Sequence, residues 1–511
     1  MNLLIFAHLL GLLTALGFPP FGIWPLTWLA GAGMIWLFLS HSELKDRSRM
    51  AWIFFHYSFS VNLYGFYWIA YTLREFGDLP WIVAALVTLT MFAVISCVAL
   101  GFGWIWPLLA TKLRRTPLRK LPPIVGLGVW LALWNICDLR AFPWVHAQSV
   151  GSDLYLLATV GLLDTWGWSL VYLIFILVAG HWAWRAETLS RRLILKVCGL
   201  FVAIFAPLYA LGVWRLAQLG GEFKERQPVA LLQGNVGNYQ KKLTKLKVEP
   251  TVRVVMGIHR DLVEEASIGF AESLNADGSG PEPWIIWPET SFPGMPMQEV
   301  SAAEALKNLV TLSRGLHIVG AYEEGEIQLA GVPKQVDFNI AALFHEKAGF
   351  VGRYRKRIRV PFGEFIPGDE YFPQAYQWLP GVNHFGRGET FEALVHPDPK
   401  GPIFIPLICY EILFQGFVDA FVKEASEKYP GRDIVLVNIT NDSWYGPTSE
   451  PFQHSLLARW ASARKSLPML RPTNTGFSQI VAPWGEVLRS GPRDEAWVIF
   501  GGLPVKKLQL R

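Results

Sequence analysis

Residues 401–411, GPIFIPLICYE, predict how the second half of the chain is built. The apolar run from Pro402 to Ile408 follows a turn rich in Pro, Gly and Asp, and a short run of this kind is typical of a buried β-strand. Cys409 comes next, at the carboxyl end of the predicted strand. Loops and helix N-termini converge at that edge of an open α/β sheet, so functional side chains collect there. The alternative is an inert packed thiol, because free cysteine is among the most buried residue types.

The composition indicates a membrane protein joined to a globular domain. The chain has 511 residues, of which 52% are hydrophobic and 17% are charged. Long apolar runs fill the chain up to about Leu216, and after Glu222 the β-like and helical stretches alternate as in a soluble α/β protein. We therefore expect residues 1–220 to form a transmembrane helical bundle, and residues 221–505 to form a mixed sheet covered by helices.

Seven apolar segments approach the length of about 20 residues that crosses a bilayer. They are roughly residues 2–18, 23–40, 51–73, 81–109, 124–136 with its flanks, 154–184 and 193–216. The first segment lacks the basic start and the cleavage site of a signal peptide, so it is predicted to be a retained helix. The sequence therefore predicts seven membrane spans.

Positive charge is concentrated in alternate connections between these segments. The connections after the second, fourth and sixth segments are rich in Lys and Arg, whereas those after the third and fifth hold only Arg74 and Arg140. The positive-inside rule places the basic connections in the cytoplasm, so the domain after Leu216 is expected on the opposite side. The net charge of +5 then reflects membrane topology and needs no nucleic-acid partner.

Cysteine and histidine usage narrows the chemistry. Cys97, Cys137 and Cys198 lie in or beside the spans, and Cys409 is the one cysteine after Leu216. It has no partner for a disulfide within that domain, and an unpaired thiol in an oxidising compartment is a candidate reactive group. The 11 His show no metal-ligand spacing, and no phosphate-binding or dinucleotide-binding glycine pattern is present, so no metal or cofactor is expected.

Two further polar side chains follow β-like runs and complement the thiol. Glu289 comes after WIIW at 284–287, and Lys356 lies within RYRKRIRVPFGEF at 353–365. A carboxylate can take the proton of a thiol, and an ammonium can stabilise both a thiolate and an oxyanion, so Glu, Lys and Cys suffice for acyl transfer through a thioester. Glu289 as a helix N-terminal carboxylate and Lys356 as a solvated charge are the alternatives that stay open at this point.

Four motifs resemble the nitrilase superfamily. They are Trp-Pro-Glu at 287–289, Tyr-x-Lys at 354–356 with Pro-Phe-Gly-Glu at 361–364, Ile-Cys-Tyr-Glu at 408–411 and Asn-Asp-Ser-Trp-Tyr-Gly at 441–446. Joined to an N-terminal helical membrane bundle, they resemble the apolipoprotein N-acyltransferase family in particular. The resemblance covers nearly the whole chain.

The resemblance implies a fold, a reaction and a location. The fold is an α-β-β-α sandwich on the periplasmic side of the bacterial inner membrane. The reaction moves a fatty acyl chain from a membrane phospholipid to the α-amino group of an N-terminal diacylglyceryl-cysteine, which completes lipoprotein maturation. By the resemblance Cys409 is the nucleophile of a ping-pong mechanism, Glu289 the general base and then acid, and Lys356 the oxyanion stabiliser. Supporting roles fall to Glu364, Tyr410 and Glu411.

The chain also departs from the family pattern. Arg359 stands where the family usually has an apolar residue, Tyr239 where a Trp is common, residues 458–467 lack an expected acidic residue, and no apolar segment follows the sandwich. Aromatic and apolar side chains around the motifs predict a rim that faces lipid. These are Phe365, Ile366, Tyr371, Phe372, Trp378, Leu379, Trp444 and Tyr445.

Three other functions compete with acyl transfer. A membrane-tethered amidase would use the same Glu, Lys and Cys and pass the acyl group to water. A non-catalytic receptor with a degenerate nitrilase-like domain would have one of these residues altered, and all three are present. A transporter would need paired ionisable groups within the spans, which the sequence lacks. The sequence leaves open the phospholipid head group, the acyl chain, the gating of the entrance and the oligomeric state.

Overall fold

The structure is a computed structural model, and it describes residues 2–41, 47–77, 79–113, 142–186, 189–237, 248–271, 280–329, 332–369, 371–372, 374–378 and 382–506. Contacts between residues divide the chain into two compact units. The first comprises Met1–Arg74, Leu79–Arg215 and Thr448–Leu456. The second comprises Glu75–Asp78, Leu216–Pro447 and Leu457–Arg511.

The first unit is helical because its apolar residues run on without the alternation that a half-buried strand requires. Its helices, wholly or for the most part, are α1 Leu3–Leu16, α2 Trp24–His41, α3 Arg47–Gly65, α4 Ile69–Gly77, α5 Trp81–Leu113, a 3-10 helix His146–Ser152, α6 Leu154–Ala158, α7 Val160–Ala186 and α8 Arg191–Glu222. Glycines let these helices approach closely, as membrane helices commonly do. A Cβ on Gly11 would lie 2.6 Å from Cβ of Ser60, and one on Gly180 would lie 2.5 Å from Cβ of Ile35.

Among the described residues, three helices are long and apolar enough to cross a membrane. They are Trp81–Ile105, Val160–Ala186 and Arg191–Glu222. The prediction of seven spans is therefore not confirmed, and the segment 124–136 lies outside the described residues. Two other predicted segments are interrupted. Segment 51–73 is divided between α3 and α4, and segment 154–184 breaks at Thr159, whose hydroxyl caps α6 by donating to the Leu156 carbonyl at 2.7 Å.

The second unit contains two mixed β-sheets. The strands are β1 Glu225–Gln233, β2 Trp284–Ile286, β3 Leu316–Leu329, β4 Val332–His345, β5 Gly349–Arg355, β6 Leu394–Val395, β7 Ile403–Pro406, β8 Ile434–Val437, β9 Met469–Arg471, β10 Gln479–Val481, β11 Val487–Ser490 and β12 Trp497–Val505. The first sheet has the order β12-β1-β2-β3-β4-β5 and the second has the order β11-β10-β9-β8-β7-β6. Strands β1, β2 and β3 are parallel, as are β7, β8 and β9.

The two sheets stack between helices. Helices α9 Glu249–Ala271 and α10 Val300–Ser313 pack against the first sheet through one buried apolar cluster. Trp284 of β2 meets Phe404 of β7 edge to face, with ring centroids 5.0 Å apart, so the sheets face each other. Helix α12 Gln415–Lys428 packs against β7 of the second sheet. Ser462 of α13 Glu450–Lys465 donates to the Ala482 carbonyl just after β10 at 3.0 Å, and the short α11 Ala375–Trp378 lies in a connection. The predicted α-β-β-α order is thus observed in this unit.

A partly buried carboxylate joins the two sheets at one end. Glu282, just before β2, accepts hydrogen bonds from Nε2 of His345 at 2.8 Å and Nε2 of His396 at 2.9 Å. These histidines end β4 in the first sheet and follow β6 in the second. In both rings Nδ1 accepts backbone N–H groups, so Nε2 carries the proton that Glu282 accepts. Glu289 and Cys409 follow the opposite, carboxyl-terminal ends of β2 and β7.

Candidate active site

Cys409 lies on a strained turn between a strand and a 3-10 helix. Strand β7 ends at Pro406, and Cys409 begins the 3-10 helix Cys409–Leu413 with a φ of 53°, a left-handed value that costs energy for a residue other than glycine. Its N–H donates to the Ile439 carbonyl at 2.7 Å. Asn438 holds both sides of the turn, because its Nδ2 donates to the carbonyls of Leu407 at 2.8 Å and Cys409 at 3.3 Å. These bonds maintain the strained conformation that presents the thiol.

Lys356 connects two carboxylates. It follows β5, and its N–H donates to the Asn339 carbonyl on β4 at 2.9 Å. Its Nζ lies 3.2 Å from Oε1 of Glu289 and 2.8 Å from Oε1 of Glu364. Asn339 also donates from Nδ2 to Oε1 of Glu289 at 2.7 Å, so it orients the carboxylate. All of these side chains are buried. We call Glu289, Lys356, Glu364 and Cys409 the Cys409 cluster.

The protonation of the cluster follows from burial and charge. Burial by itself lowers the pKa of the Lys356 ammonium, but the negative charges of Glu289 and Glu364 outweigh it, so that pKa lies well above its ordinary value. Burial raises the pKa of the Cys409 thiol, and the charge of Glu289 raises it further. Lys356 and a hydrogen bond with Thr440 lower the thiol pKa without reversing the rise. The resting cluster therefore pairs a thiol with an ammonium, and the thiol needs a base in order to react.

Glu364 is held by a tight turn at residues 360–365. Its Oε2 accepts the N–H of Val360 at 2.8 Å, while Oε1 accepts from Lys356. Phe362 within this turn has a positive φ of 61°. The carbonyl of Glu364 accepts the N–H of Phe385 at 2.9 Å, which fixes the turn to a neighbouring segment. The Pro-Phe-Gly-Glu motif thus orients a carboxylate towards Lys356.

Glu411 connects the Cys409 turn to the end of β5. Its Oε1 accepts the hydroxyl of Tyr354 at 2.7 Å and the N–H groups of Arg357 at 2.7 Å and Ile358 at 3.0 Å. Its Oε2 accepts the N–H of Ile408 at 2.8 Å. Burial raises the pKa of Glu411 to about 7, and the four donors, which favour the carboxylate, limit the rise. Glu411 thus ties the backbone beside Lys356 to the backbone beside Cys409.

The other residues singled out in the sequence, Tyr410 and the predicted lipid-facing rim, are partly buried in the domain and partly exposed at its surface. Tyr410 is buried, and its ring packs edge to face on Phe414 with centroids 4.8 Å apart. Tyr371 and Phe372 of the predicted rim are 80% and 67% exposed. Ile366 and Tyr445 are buried, so they belong to the packed interior and the rim prediction is wrong for them. Leu379 lies outside the described residues, and the side chain of Trp378 is not among those described.

Asn339 and Asn438 are site residues that sequence reasoning missed. Each interrupts an apolar strand run, VDFNIAALF at 336–344 and IVLVNIT at 434–440, and each is buried. A polar side chain inside such a run must find a hydrogen-bond partner, and this requirement could have identified both residues in the sequence.

A cleft of about 300 Å³ opens beside this edge of the first sheet. Its lining includes Thr290, Tyr322 and Met256.

The chain matches two family models in sequence. Residues 283–510 match the carbon-nitrogen hydrolase family, and residues 10–171 match the apolipoprotein N-acyltransferase N-terminal domain. In solved structures, an amidase from Nesterenkonia sp. aligns at 17% identity over 56% of this chain and 94% of its own, with a TM-score of 0.36. The family match and the two stacked sheets confirm the nitrilase-like α/β fold.

Curated relatives align over nearly the whole chain. An apolipoprotein N-acyltransferase from Bdellovibrio bacteriovorus is 30% identical over 96% of this chain and 86% of its own length. Those from Geobacter metallireducens and Pseudomonas putida are 27% and 26% identical, over 97% and 99% of this chain and 88% and 92% of their own lengths. The chain therefore belongs to the apolipoprotein N-acyltransferase family.

Proposed function

We propose that this chain is an N-acyltransferase that moves a fatty acyl chain from a membrane phospholipid to the N-terminal α-amino group of a diacylglyceryl-cysteine lipoprotein. The observation that carries the proposal is the Cys409 cluster, in which a thiol, an ammonium and two carboxylates lie together in a member of this family. No step requires a metal or a cofactor.

In the first half-reaction Cys409 attacks the carbonyl carbon of a phospholipid ester. Glu289 accepts the thiol proton, because the raised pKa of the thiol leaves little thiolate at neutral pH. Nζ of Lys356 donates to Glu289 and Glu364, and its remaining N–H is available to the oxyanion of the tetrahedral intermediate. The ester C–O bond then breaks, Glu289 returns the proton to the glycerol oxygen, and lysophospholipid leaves.

In the second half-reaction the acceptor amine attacks the thioester. Glu289 takes a proton from the amine as the new C–N bond forms, and the C–S bond breaks. The proton then passes to the Cys409 sulfur, so the cluster returns to its resting state. Lys356 meets the same oxyanion in both halves, which is why one cluster serves a ping-pong reaction.

The proposed location follows from charge and hydropathy. We propose seven membrane spans within residues 1–220 and a catalytic domain formed by residues 221–505 on the periplasmic side of the bacterial inner membrane. The three candidate spans and the basic connections between apolar segments support this arrangement. The phospholipid donor and the lipoprotein acceptor would then both be reached at the membrane surface.

The test uses the purified full-length chain in detergent with a phospholipid labelled in its acyl chain. Without an acceptor, we expect hydroxylamine-sensitive label on the wild type and none on Cys409→Ala. Addition of a peptide that begins with diacylglyceryl-cysteine should move the label to the peptide as an amide. Label released only as free fatty acid would favour the amidase, and a folded wild type that takes no label would contradict the phospholipid donor.

A further inference from the structure

Arg359 lies within the segment that carries Lys356 and Glu364, and its guanidinium is held in place. Its Nη1 donates to the Phe385 carbonyl at 2.7 Å. The guanidinium carbon lies 4.3 Å from the centroid of the Phe365 ring, a cation-π contact on one face. Among the described residues, these are the guanidinium's direct contacts, and no carboxylate lies within ion-pair distance. The other N–H donors of Arg359 are therefore available to a ligand.

A second arginine lies on the segment beside it. Residues 385–388 run along the Cys409 cluster, because Phe385 donates its N–H to the Glu364 carbonyl at 2.9 Å and Gly388 donates to the Lys356 carbonyl at 2.8 Å. Arg387 lies between these two anchors and its side chain is exposed. The positive charge of Arg387 also reaches Arg359, where it and burial lower the guanidinium pKa. Two cations thus lie on the neighbouring backbone segments that carry or contact Lys356 and Glu364.

Asp369, an acidic residue near Arg359, has other hydrogen-bond and ion-pair partners. The Asp369 carboxylate accepts the Tyr376 hydroxyl at 2.7 Å and lies 3.8 Å from Nε2 of His384. Asp369 and Glu364 attract Arg359 electrostatically, which favours its charged form. They are not its hydrogen-bond partners, so ordinary ion pairing does not account for this arginine.

The charge of the cluster explains why an anionic substrate needs these arginines. At rest the cluster has two carboxylates, one ammonium and a neutral thiol, so its net charge is negative. A phospholipid carries a negative phosphate close to the esters that must reach the thiol, and like charges in a desolvated site repel strongly. Guanidinium groups pair with phosphate through two parallel N–H donors, which fixes orientation as well as charge.

We propose that Arg359, assisted by Arg387, binds the phosphate of the phospholipid acyl donor and places its ester at Cys409. This inference rests on the proposed function and adds the basis of donor selection. Arg359 takes no part in bond making: the thioester forms, the ester C–O bond breaks and the proton passes through Glu289 as described.

The first experiment measures single-turnover thioester formation by the full-length chain in detergent. The two donors are phosphatidylglycerol and diacylglycerol with the same labelled acyl chains, and the readout is the ratio of their rates. We expect Arg359→Leu to lower that ratio about 10- to 100-fold, the change expected for losing charge-assisted hydrogen bonds. Arg359→Lys should lower it less. Arg489→Leu, which removes an exposed arginine from β11, is the matched control and should leave the ratio unchanged.

A ratio in Arg359→Leu within threefold of the wild-type ratio would overturn the proposal, as would an equal fall in both rates. A second measurement, of lipid binding, does not require acyl transfer. Binding of phosphatidylglycerol to Cys409→Ala should weaken when Arg359→Leu is added, whereas binding of diacylglycerol should not. If wild type binds phosphatidylglycerol through Arg359 yet forms no thioester, the proposed function fails and the phosphate site stands. If Cys409→Ala binds phosphatidylglycerol equally well with and without Arg359→Leu, Arg359 does not bind the phosphate and the proposal is wrong.

Discussion

At the scale of single residues, the chemistry depends on a thiol kept protonated until a substrate arrives. Burial and the charge of Glu289 both favour the neutral thiol, while Lys356 favours the thiolate. The neutral thiol is less reactive at rest than a thiolate, and in the proposed mechanism Glu289 takes its proton. The positive φ of Cys409 adds backbone strain, which the hydrogen bonds of Asn438 maintain.

This balance predicts opposite effects of two substitutions on thiol titration. Glu289→Gln removes a negative charge, so the thiol pKa should fall and the pH profile of alkylation by iodoacetamide should move to lower pH. Lys356→Met removes a positive charge and should move the profile to higher pH. Acylation by phospholipid should nevertheless drop about 10²- to 10⁴-fold in Glu289→Gln, because the general base is lost.

Mass spectrometry of alkylated Cys409 between pH 6 and pH 10 gives both profiles. Glu424→Gln on α12 removes an exposed carboxylate of the same domain and serves as the control. Profiles that move in the same direction in both variants would contradict the assigned charges.

At the scale of elements, the site is a junction of strand ends from two different sheets. Lys356 leaves β5 in the first sheet and Cys409 leaves β7 in the second. Glu411 crosses between them with four hydrogen bonds, and Glu282 joins the opposite ends of the sheets through two histidines. The relative position of ammonium and thiol therefore depends on carboxylates that link the sheets, of which Glu411 is buried and Glu282 is partly buried.

Glu411 should accordingly contribute strongly to stability. In Glu411→Ala three backbone N–H groups and the Tyr354 hydroxyl lose their acceptor, and buried unpaired donors cost about 1–3 kcal/mol each. We expect a loss of at least about 3 kcal/mol, which lowers Tm by about 6 °C or more. Tyr354→Phe removes a single donor and should cost about 1 kcal/mol.

Thermal unfolding of the detergent-solubilised chain measures these effects. Glu424→Ala, an exposed carboxylate on α12, should leave Tm unchanged. Wild-type stability in Glu411→Ala would show that the four hydrogen bonds do not hold the junction.

At the scale of the whole molecule, the chain combines an apolar helical unit with an α/β unit whose buried Lys356 is paired with carboxylates. Long apolar helices of the first unit leave many large apolar side chains exposed, which water does not favour and a lipid bilayer does. The second unit buries its apolar residues between sheets and helices. The two units therefore require different solvents, and this is the physical basis of the proposed membrane orientation.

Orientation is testable with one added cysteine at a time in a variant that has Ala at Cys97, Cys137 and Cys198 and keeps the buried Cys409 for activity. The same variant without an added cysteine gives the background labelling of Cys409. In intact spheroplasts, a membrane-impermeant maleimide should label Ser490→Cys on β11. Arg192→Cys, at the start of α8, should be labelled only after the membrane is disrupted, because it lies in a basic connection. The reverse pattern would place the α/β unit in the cytoplasm. Acylation activity of each variant provides the check on folding.

The sequence alone indicated the class of each half and the side chains that are proposed to react. Apolar runs and basic connections indicated membrane helices, and an apolar strand followed by Cys409 indicated a sheet edge. These signals are local, because hydrophobic periodicity and strand ends are properties of neighbouring residues. Apolar composition did not determine the number of spans. Thr159 and the Gly65 region interrupt helices that composition alone predicts to continue.

Only the tertiary structure decided which side chains meet. Glu289, Lys356 and Cys409 are separated by tens of residues, and their meeting depends on strand order and on the stacking of two sheets. The same holds for Asn339, Asn438 and Glu411, whose roles are set by backbone groups that approach from other strands. Contacts of this kind follow from packing between distant segments, and residue type does not specify them. Arg359 shows this most clearly. In the sequence it is one charge in a basic run, and in the fold its guanidinium is held by the Phe385 carbonyl and the Phe365 ring.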